Sequence, residues 1–415
     1  MTEILAPIRK GKRKEQPQLE EIDKYLDSGR WTVVHELEKF INDRYEIRYN
    51  TSKNDFEVKL KKGNEWEELN EDNMMIEILK SGINFKKDVF KSLIRSDFVH
   101  RYDQMKDYFT SLPEYKASEP NYIDEFIKYI TLKNPERDQV RFSVQLKKHL
   151  IRSVKQVFHQ GYFNKHCFTV INPEQNIGKT SLIRWFCPPS LKQYYLQEFT
   201  PDKHKDNLLA LCENFMINFD ELSSLYKAEV NNLKAIMSAN GTKTRKSYDS
   251  RARMYHRKSS FWASTNKTDF LDDETGSIRW ICFEIDKINF DYSTKVNIDR
   301  LYAQIYYLYK EGTVCELTHD EIRENELCNN QYSRILVEEE LITQYFTRAE
   351  DKNDENFITT TQIYNHIALQ TSSKVSMNVY NVGRALKKLG YLQESRRIQT
   401  VEYPQKGYYL IKKTV

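Results

Sequence analysis

At 415 residues the chain is too long for one ordinary core, so two to four domains are expected. Hydrophobic residues at 39% suffice for packed cores, and charged residues at 30% indicate a water-facing protein. No window offers about 18 uninterrupted apolar residues, so no membrane partner is expected, and a net charge of only +4 confines any nucleic-acid surface to a local patch.

The N-terminal apolar run is too short for a secretory signal, and its charges follow rather than precede it. Six cysteines are scattered without a C-x-x-C pair, which fits neither a zinc site nor a disulfide scaffold and points to a reducing, cytoplasmic setting. Residues 1–20 are polar and hold RKGKRK, Arg9 to Lys14, as a basic flexible tail.

Residues 21–118 read as a small α+β module. WTVVHELEKFINDR spaces its apolar residues as a helix does. YEIRYN and DFEVKLKK alternate as strands around the turn TSKN, and MMIEILKSG and DVFKSLIRSD read as helices. Residues 119–160 form a helical block with Arg and Lys between apolar positions, expected as a collar.

From residue 161 to 333 the pattern becomes α/β. HCFTVIN, FMINFDE, SSFWASTN and IRWICFEI are apolar, β-rich runs separated by helical segments, which predicts a parallel sheet with crossover helices. The first run leads into NPEQNIGKTS, a phosphate loop whose first glycine slot holds Pro173. A proline is tolerated there if the position needs no N–H donor. Asn176, Ile177, Gly178, Lys179, Thr180 and Ser181 are the candidate nucleotide-binding residues. Lys179 would reach the β- and γ-phosphates of ATP, and Thr180 would ligate Mg²⁺.

Asp220 and Glu221 end the second run. Two adjacent acids at the end of a buried strand need positive compensation, which Mg²⁺ supplies. Asp220 would hold the metal and Glu221 polarise water; the alternative is a helix capped by acids. Asn266 ends the third run and would orient water or touch the γ-phosphate. Arg279 opens the fourth run and would act on a neighbouring subunit's phosphates; the alternative is an ion pair with the acids at 272–274.

Residues 241–258 carry Lys243, Arg245, Lys246, Arg251, Arg253, Arg257 and Lys258 against the single acid Asp249, with Tyr248 and Tyr255 interleaved. This composition suits single-stranded DNA, phosphates on cations and bases on rings; a solvated charged face is the alternative. Residues 334–415 read as three helices and a β-hairpin, the order of a winged helix. Its third helix offers Arg384, Lys387 and Lys388, with Asn378 and Asn381, to duplex DNA, keeping Val379, Val382 and Leu386 for the core. Protein contacts are the alternative.

The succession of GKT loop, INFDEL, basic segment, SFWASTN and FLDDETGSIRW resembles the virulence-associated protein E family, AAA+ ATPases related to superfamily 3 helicases of phages and mobile elements. The resemblance runs from about Trp31 to Glu284. It implies an AAA+ core at 161–333 and ATP-driven DNA unwinding in replication of such an element, with a hexameric ring of identical subunits. Family members often carry a primase domain, whereas the short N-terminal module shows no convincing primase carboxylate pair, so a separate primase is an expected partner. Two other classes compete: an ATP-switched initiator that binds DNA, and a defence or assembly ATPase without unwinding activity.

Overall fold

The computed structural model describes residues 32–202, 204–221, 227–245, 252–271, 277–333, 336–353, 355–371, 376–397 and 403–413. The basic tail, Lys246, Tyr248, Asp249, Arg251 and the acids at 272–274 lie outside these residues. Among the described residues no helix is long and apolar enough to cross a membrane.

The chain divides into two compact units after Asp107, earlier than the boundary expected at 118. In the first unit, helix α1 (Val33–Arg44) buries Leu37, Phe40 and Ile41, the i, i+3, i+4 stripe. Strands β1 (Tyr45–Asn50) and β2 (Asp55–Leu60) form an antiparallel hairpin, with Asn54 at φ 56° in its turn. Strands β3 (Glu67–Glu68) and β4 (His100–Tyr102) complete a sheet of order β3-β2-β1-β4. Helices α2 (Glu71–Lys80) and α3 (Lys87–Arg95) bury Met74, Met75, Ile78, Phe90, Leu93 and Ile94 in the same core.

The second unit is built on a six-stranded sheet of order β5-β12-β6-β11-β8-β7. The strands are β5 (Ile130–Leu132), β6 (Cys167–Ile171), β7 (Tyr195–Leu196), β8 (Met216–Phe219), β11 (Ser260–Thr265) and β12 (Trp280–Ile288). All neighbours are parallel except β5, which pairs antiparallel with β12 at one edge. Every residue of β6, β8 and β11 is buried, which explains why these strands read as predominantly apolar, β-rich runs; Thr169, Asn218, Ser260, Ser264 and Thr265 are the buried polar residues within them.

Residues 119–160 are not a separate collar. They supply β5 to the sheet and the long helix α4 (Pro135–Phe158), which packs against β11 and β12. The sequence pattern misled because two of the cations in α4 are buried. Arg141 donates to the Cys282 carbonyl at 2.6 Å, and Arg152 to the Cys315 carbonyl at 2.6 Å.

The C-terminal residues hold helices at Val337–Tyr345, Thr360–Gln370 and Val379–Lys388. Strands β15 (Glu394–Arg396) and β16 (Gln405–Lys412) pair antiparallel, with β13 (Phe346–Arg348) and β14 (Phe357–Thr359) also on β16. Val382 and Leu386 are fully buried, but Val379 is exposed because it opens its helix directly after the cap. Asn378 is that cap: its side chain accepts the Asn381 N–H at 2.7 Å.

Candidate active site

Parallel strands present all their carboxyl ends at one edge of the sheet, so residues that follow β6, β8 and β11 meet there. The first of them is the loop from Asn172 to Gly178. Asn172 is buried; its amide donates to the Ile285 carbonyl at 2.7 Å, and its side-chain oxygen accepts the Glu174 N–H at 2.6 Å. This brace spans Pro173, which is exposed and stands outside the cavity lining. A ring without an N–H is therefore accommodated at the loop's entrance.

Asn176 (φ 62°) and Gly178 (φ 94°) turn the loop through left-handed conformations. A Cβ on Gly178 would meet the tip of the exposed Phe290 ring, which can turn aside, so it is the left-handed backbone that favours glycine here. Helix α5 (Lys179–Trp185) starts immediately after it.

Lys179 is buried and its ammonium donates to the carbonyls of Asn172 at 3.0 Å and Glu174 at 2.8 Å. Burial pulls its pKa below the usual lysine value, and the charge of Asp220 partly opposes this. The Thr180 hydroxyl donates to both oxygens of Asp220, at 3.0 and 3.2 Å. Asp220 also accepts from the Gln197 amide at 2.8 Å and from the Ser264 hydroxyl. Glu221 follows at φ 53°, a left-handed conformation that costs a non-glycine residue roughly 1–3 kcal/mol.

These groups surround a cavity of about 400 Å³. Asn176, Gly178, Lys179, Thr180 and Ser181 line it from the loop, and Asp220, Glu221 and Asn266 from the neighbouring strand ends. Gln175, Ser264, Thr265 and Phe290 also line it and were not anticipated. Ser264 was within reach of sequence reasoning, since it lies two residues before Asn266 and so points to the same side. Phe290 and Gln197 carry no local signal. Ile177 belongs to the loop without lining the cavity.

Arg279 is not brought to this cavity. It precedes β12, whose Trp280 pairs with Cys167 at the start of β6, and its carbonyl accepts the Cys167 N–H at 2.8 Å. The cavity lies at the other end of β6, about 13 Å away at roughly 3.3 Å per residue.

The basic segment forms a two-stranded antiparallel ribbon, β9 (Gly241–Thr244) and β10 (Arg253–His256). Lys243 pairs with Met254 and Thr244 with Arg253, so a cation stands on each face; Lys243, Arg245 and Arg253 are all exposed. Two members of the segment are not available to a ligand. Tyr255 is buried in the sheet's core, and Arg257 is 1% exposed. Arg257 donates to the carbonyls of Ser259, Met237 and Asn164 at 3.0, 2.8 and 2.6 Å. Burial lowers its pKa to about 9. It locks the base of the ribbon to the core.

In the C-terminal residues, Lys387 is exposed and Arg384 half-buried. Lys388 is engaged within the fold, its ammonium 2.8 Å from Glu339. Arg396 donates to the Lys352 carbonyl and the Tyr409 hydroxyl.

The donor set at Asp220 fits Mg²⁺ held jointly with a nucleotide. Among the described residues no group of three or more His, Cys, Asp or Glu is placed to hold a metal. Mg²⁺ takes one or two protein oxygens and completes its shell with phosphate and water, and Asp220 with Thr180 is such a pair.

The family model for the virulence-associated protein E-like domain matches residues 113–334. No curated protein matches the sequence. Among solved structures, the apo form of the NrS-1 C-terminal region (305-718) is similar at 9% identity, covering 91% of this chain and 98% of that one with a TM-score of 0.48. Two A-form apo structures of the same region give TM-scores of 0.46 and 0.47 at the same identity and coverage. A TM-score below 0.5 is too low to fix a shared fold.

Proposed function

The chain belongs to the virulence-associated protein E-like family, and on that premise we propose that it is an ATP-hydrolysing AAA+ motor acting on DNA in replication of a phage or mobile element. One observation carries this: Lys179, Thr180, Asp220, Glu221 and Asn266, from three separate strand ends, line one cavity. That cavity is rimmed by a loop ahead of a helix N-terminus, a place suited to phosphate.

Lys179 exchanges its loop carbonyls for phosphate oxygens when nucleotide enters. Thr180 and Asp220 hold Mg²⁺, which offsets charge on the phosphates when bound. Glu221 takes the proton of the attacking water, and Asn266 orients that water. Arg279, at the far end of β6 from its own cavity, serves the next subunit of a ring. The ribbon carrying Lys243, Arg245 and Arg253, together with Lys246 and Arg251, grips single-stranded DNA. The C-terminal helices and hairpin act as a winged helix that meets duplex DNA through Arg384 and Lys387, while a separate primase supplies primers.

Purified protein is assayed for Mg²⁺-dependent ATP hydrolysis beside two variants. Lys179→Ala abolishes nucleotide binding, and Glu221→Gln binds nucleotide without turnover. Wild-type hydrolysis retained in Lys179→Ala sinks the proposal.

A further inference from the structure

Asp220 receives three side-chain donors, and they differ in kind. Thr180 and Ser264 are hydroxyls, which rotate and can accept as well as donate. Gln197 offers an amide N–H, at 2.8 Å to one carboxylate oxygen, and an amide nitrogen accepts nothing. The other end of the same amide is fixed too: Arg184 donates to the Gln197 oxygen at 2.5 Å. A guanidinium only donates and a carboxylate only accepts, so the two neighbours settle the orientation of the amide between them. A glutamate at 197 would set two carboxylates against each other, and an asparagine would fall a methylene short of one partner.

The topology explains the reach. Strand β7 lies beside β8, with Leu196 opposite Ile217, so Gln197 leaves the sheet at the same edge as Asp220. Arg184 stands on the exposed side of α5, one turn after Ser181.

We infer that Gln197 is a positioning residue for the Asp220 carboxylate, held in its working orientation by Arg184. When Thr180 turns a lone pair toward a metal, Gln197 remains the donor on the Asp220 oxygen it shares with Thr180, while Ser264 holds the other, so Gln197 keeps that side of the carboxylate plane from rotating. Removing a group that orients a metal-binding carboxylate characteristically weakens metal affinity about 10- to 100-fold. This inference rests on the nucleotide reading of the cavity.

The test separates the two. Binding of a fluorescent ATP analogue is titrated with Mg²⁺, and separately measured in excess chelator, for wild type, Gln197→Met and Arg184→Met, with melting temperatures recorded. For Gln197→Met the half-saturating Mg²⁺ concentration rises about 10-fold or more, while metal-free binding and melting temperature stay at wild-type values. Arg184→Met shifts the same way by a smaller factor, since the amide loses its orientation but not its donor. An unchanged Mg²⁺ titration for Gln197→Met overturns the inference. So does equal weakening with and without metal, which would mark a merely structural residue. A wild type that shows no Mg²⁺-dependent binding at all removes the nucleotide reading, and this inference with it.

Discussion

Thr180 donates its hydroxyl to Asp220 at 3.0 Å across the sheet edge, joining residues 40 positions apart. If this pair holds the metal, the hydroxyl is essential and the methyl is not. Thr180→Ser retains Mg²⁺-dependent hydrolysis, whereas the isosteric Thr180→Val loses about 10- to 100-fold. Equal rates for the two variants, measured by phosphate release, contradict the assignment.

Pro173 tests the loop's entrance. It is exposed, lies outside the cavity lining, and is spanned by the Asn172 brace. Pro173→Gly therefore leaves hydrolysis within about twofold, the scale of a surface substitution. Asn172→Ala, which removes three side-chain hydrogen bonds, lowers the melting temperature and weakens nucleotide binding. A large gain on Pro173→Gly means the proline obstructs the loop.

Arg279 is separated from its own cavity by the length of β6. Its Ala variant alone is nearly inactive. Mixing it with Lys179→Ala restores part of the hydrolysis, because some interfaces then pair an intact loop with an intact arginine. With assembly verified by light scattering, absence of recovery at every ratio refutes action between subunits.

The ribbon contains cations of two kinds, which separate experimentally. Replacing exposed Lys243, Arg245 and Arg253 by Ala flattens the salt dependence of single-strand binding, by about 0.7 in log–log slope per lost phosphate contact, and leaves the melting temperature unchanged. Arg257→Leu leaves its carbonyl partners buried without a donor and lowers stability by about 3 kcal/mol or more. If Arg257→Leu melts like wild type and only the salt slope changes, Arg257 belongs to the binding surface.

Acid sensitivity has an identifiable source. His149 and His166 are buried, and burial, with Arg152 nearby, pushes both below the usual histidine value, His166 to about 2. The unfolded chain takes up these protons below pH 6.5 while the folded chain does not, so stability falls as pH drops through that range, by about 1.4 kcal/mol per pH unit per histidine. Replacing His166 with Met reduces the slope of unfolding free energy against pH by about one proton between pH 6 and 4. Parallel slopes for variant and wild type, from chemical denaturation, disprove this.

Local pattern determined much of this protein. β6, β8, β11 and β12 were legible because strands in the middle of a sheet covered on both faces are rich in apolar and β-branched residues, with only a few polar ones such as Asn218 and Ser264 among them, and the GKT loop and Asp220–Glu221 were legible because their spacing along the chain is their chemistry. Helix α1 and the hairpin β1–β2 followed from periods of 3.6 and 2. Tertiary structure alone decided which long side chains go inside. Arg141, Arg152 and Arg257 look like surface cations in sequence, yet each is buried, because backbone carbonyls far away in the chain come within reach. For Arg257 the shortest of its bonds runs to the carbonyl of Asn164, 93 residues away. Phe290 over Gly178 and Gln197 against Asp220 were hidden for the same reason: an isolated side chain carries no record of its partner until the sheet sets their strand ends side by side.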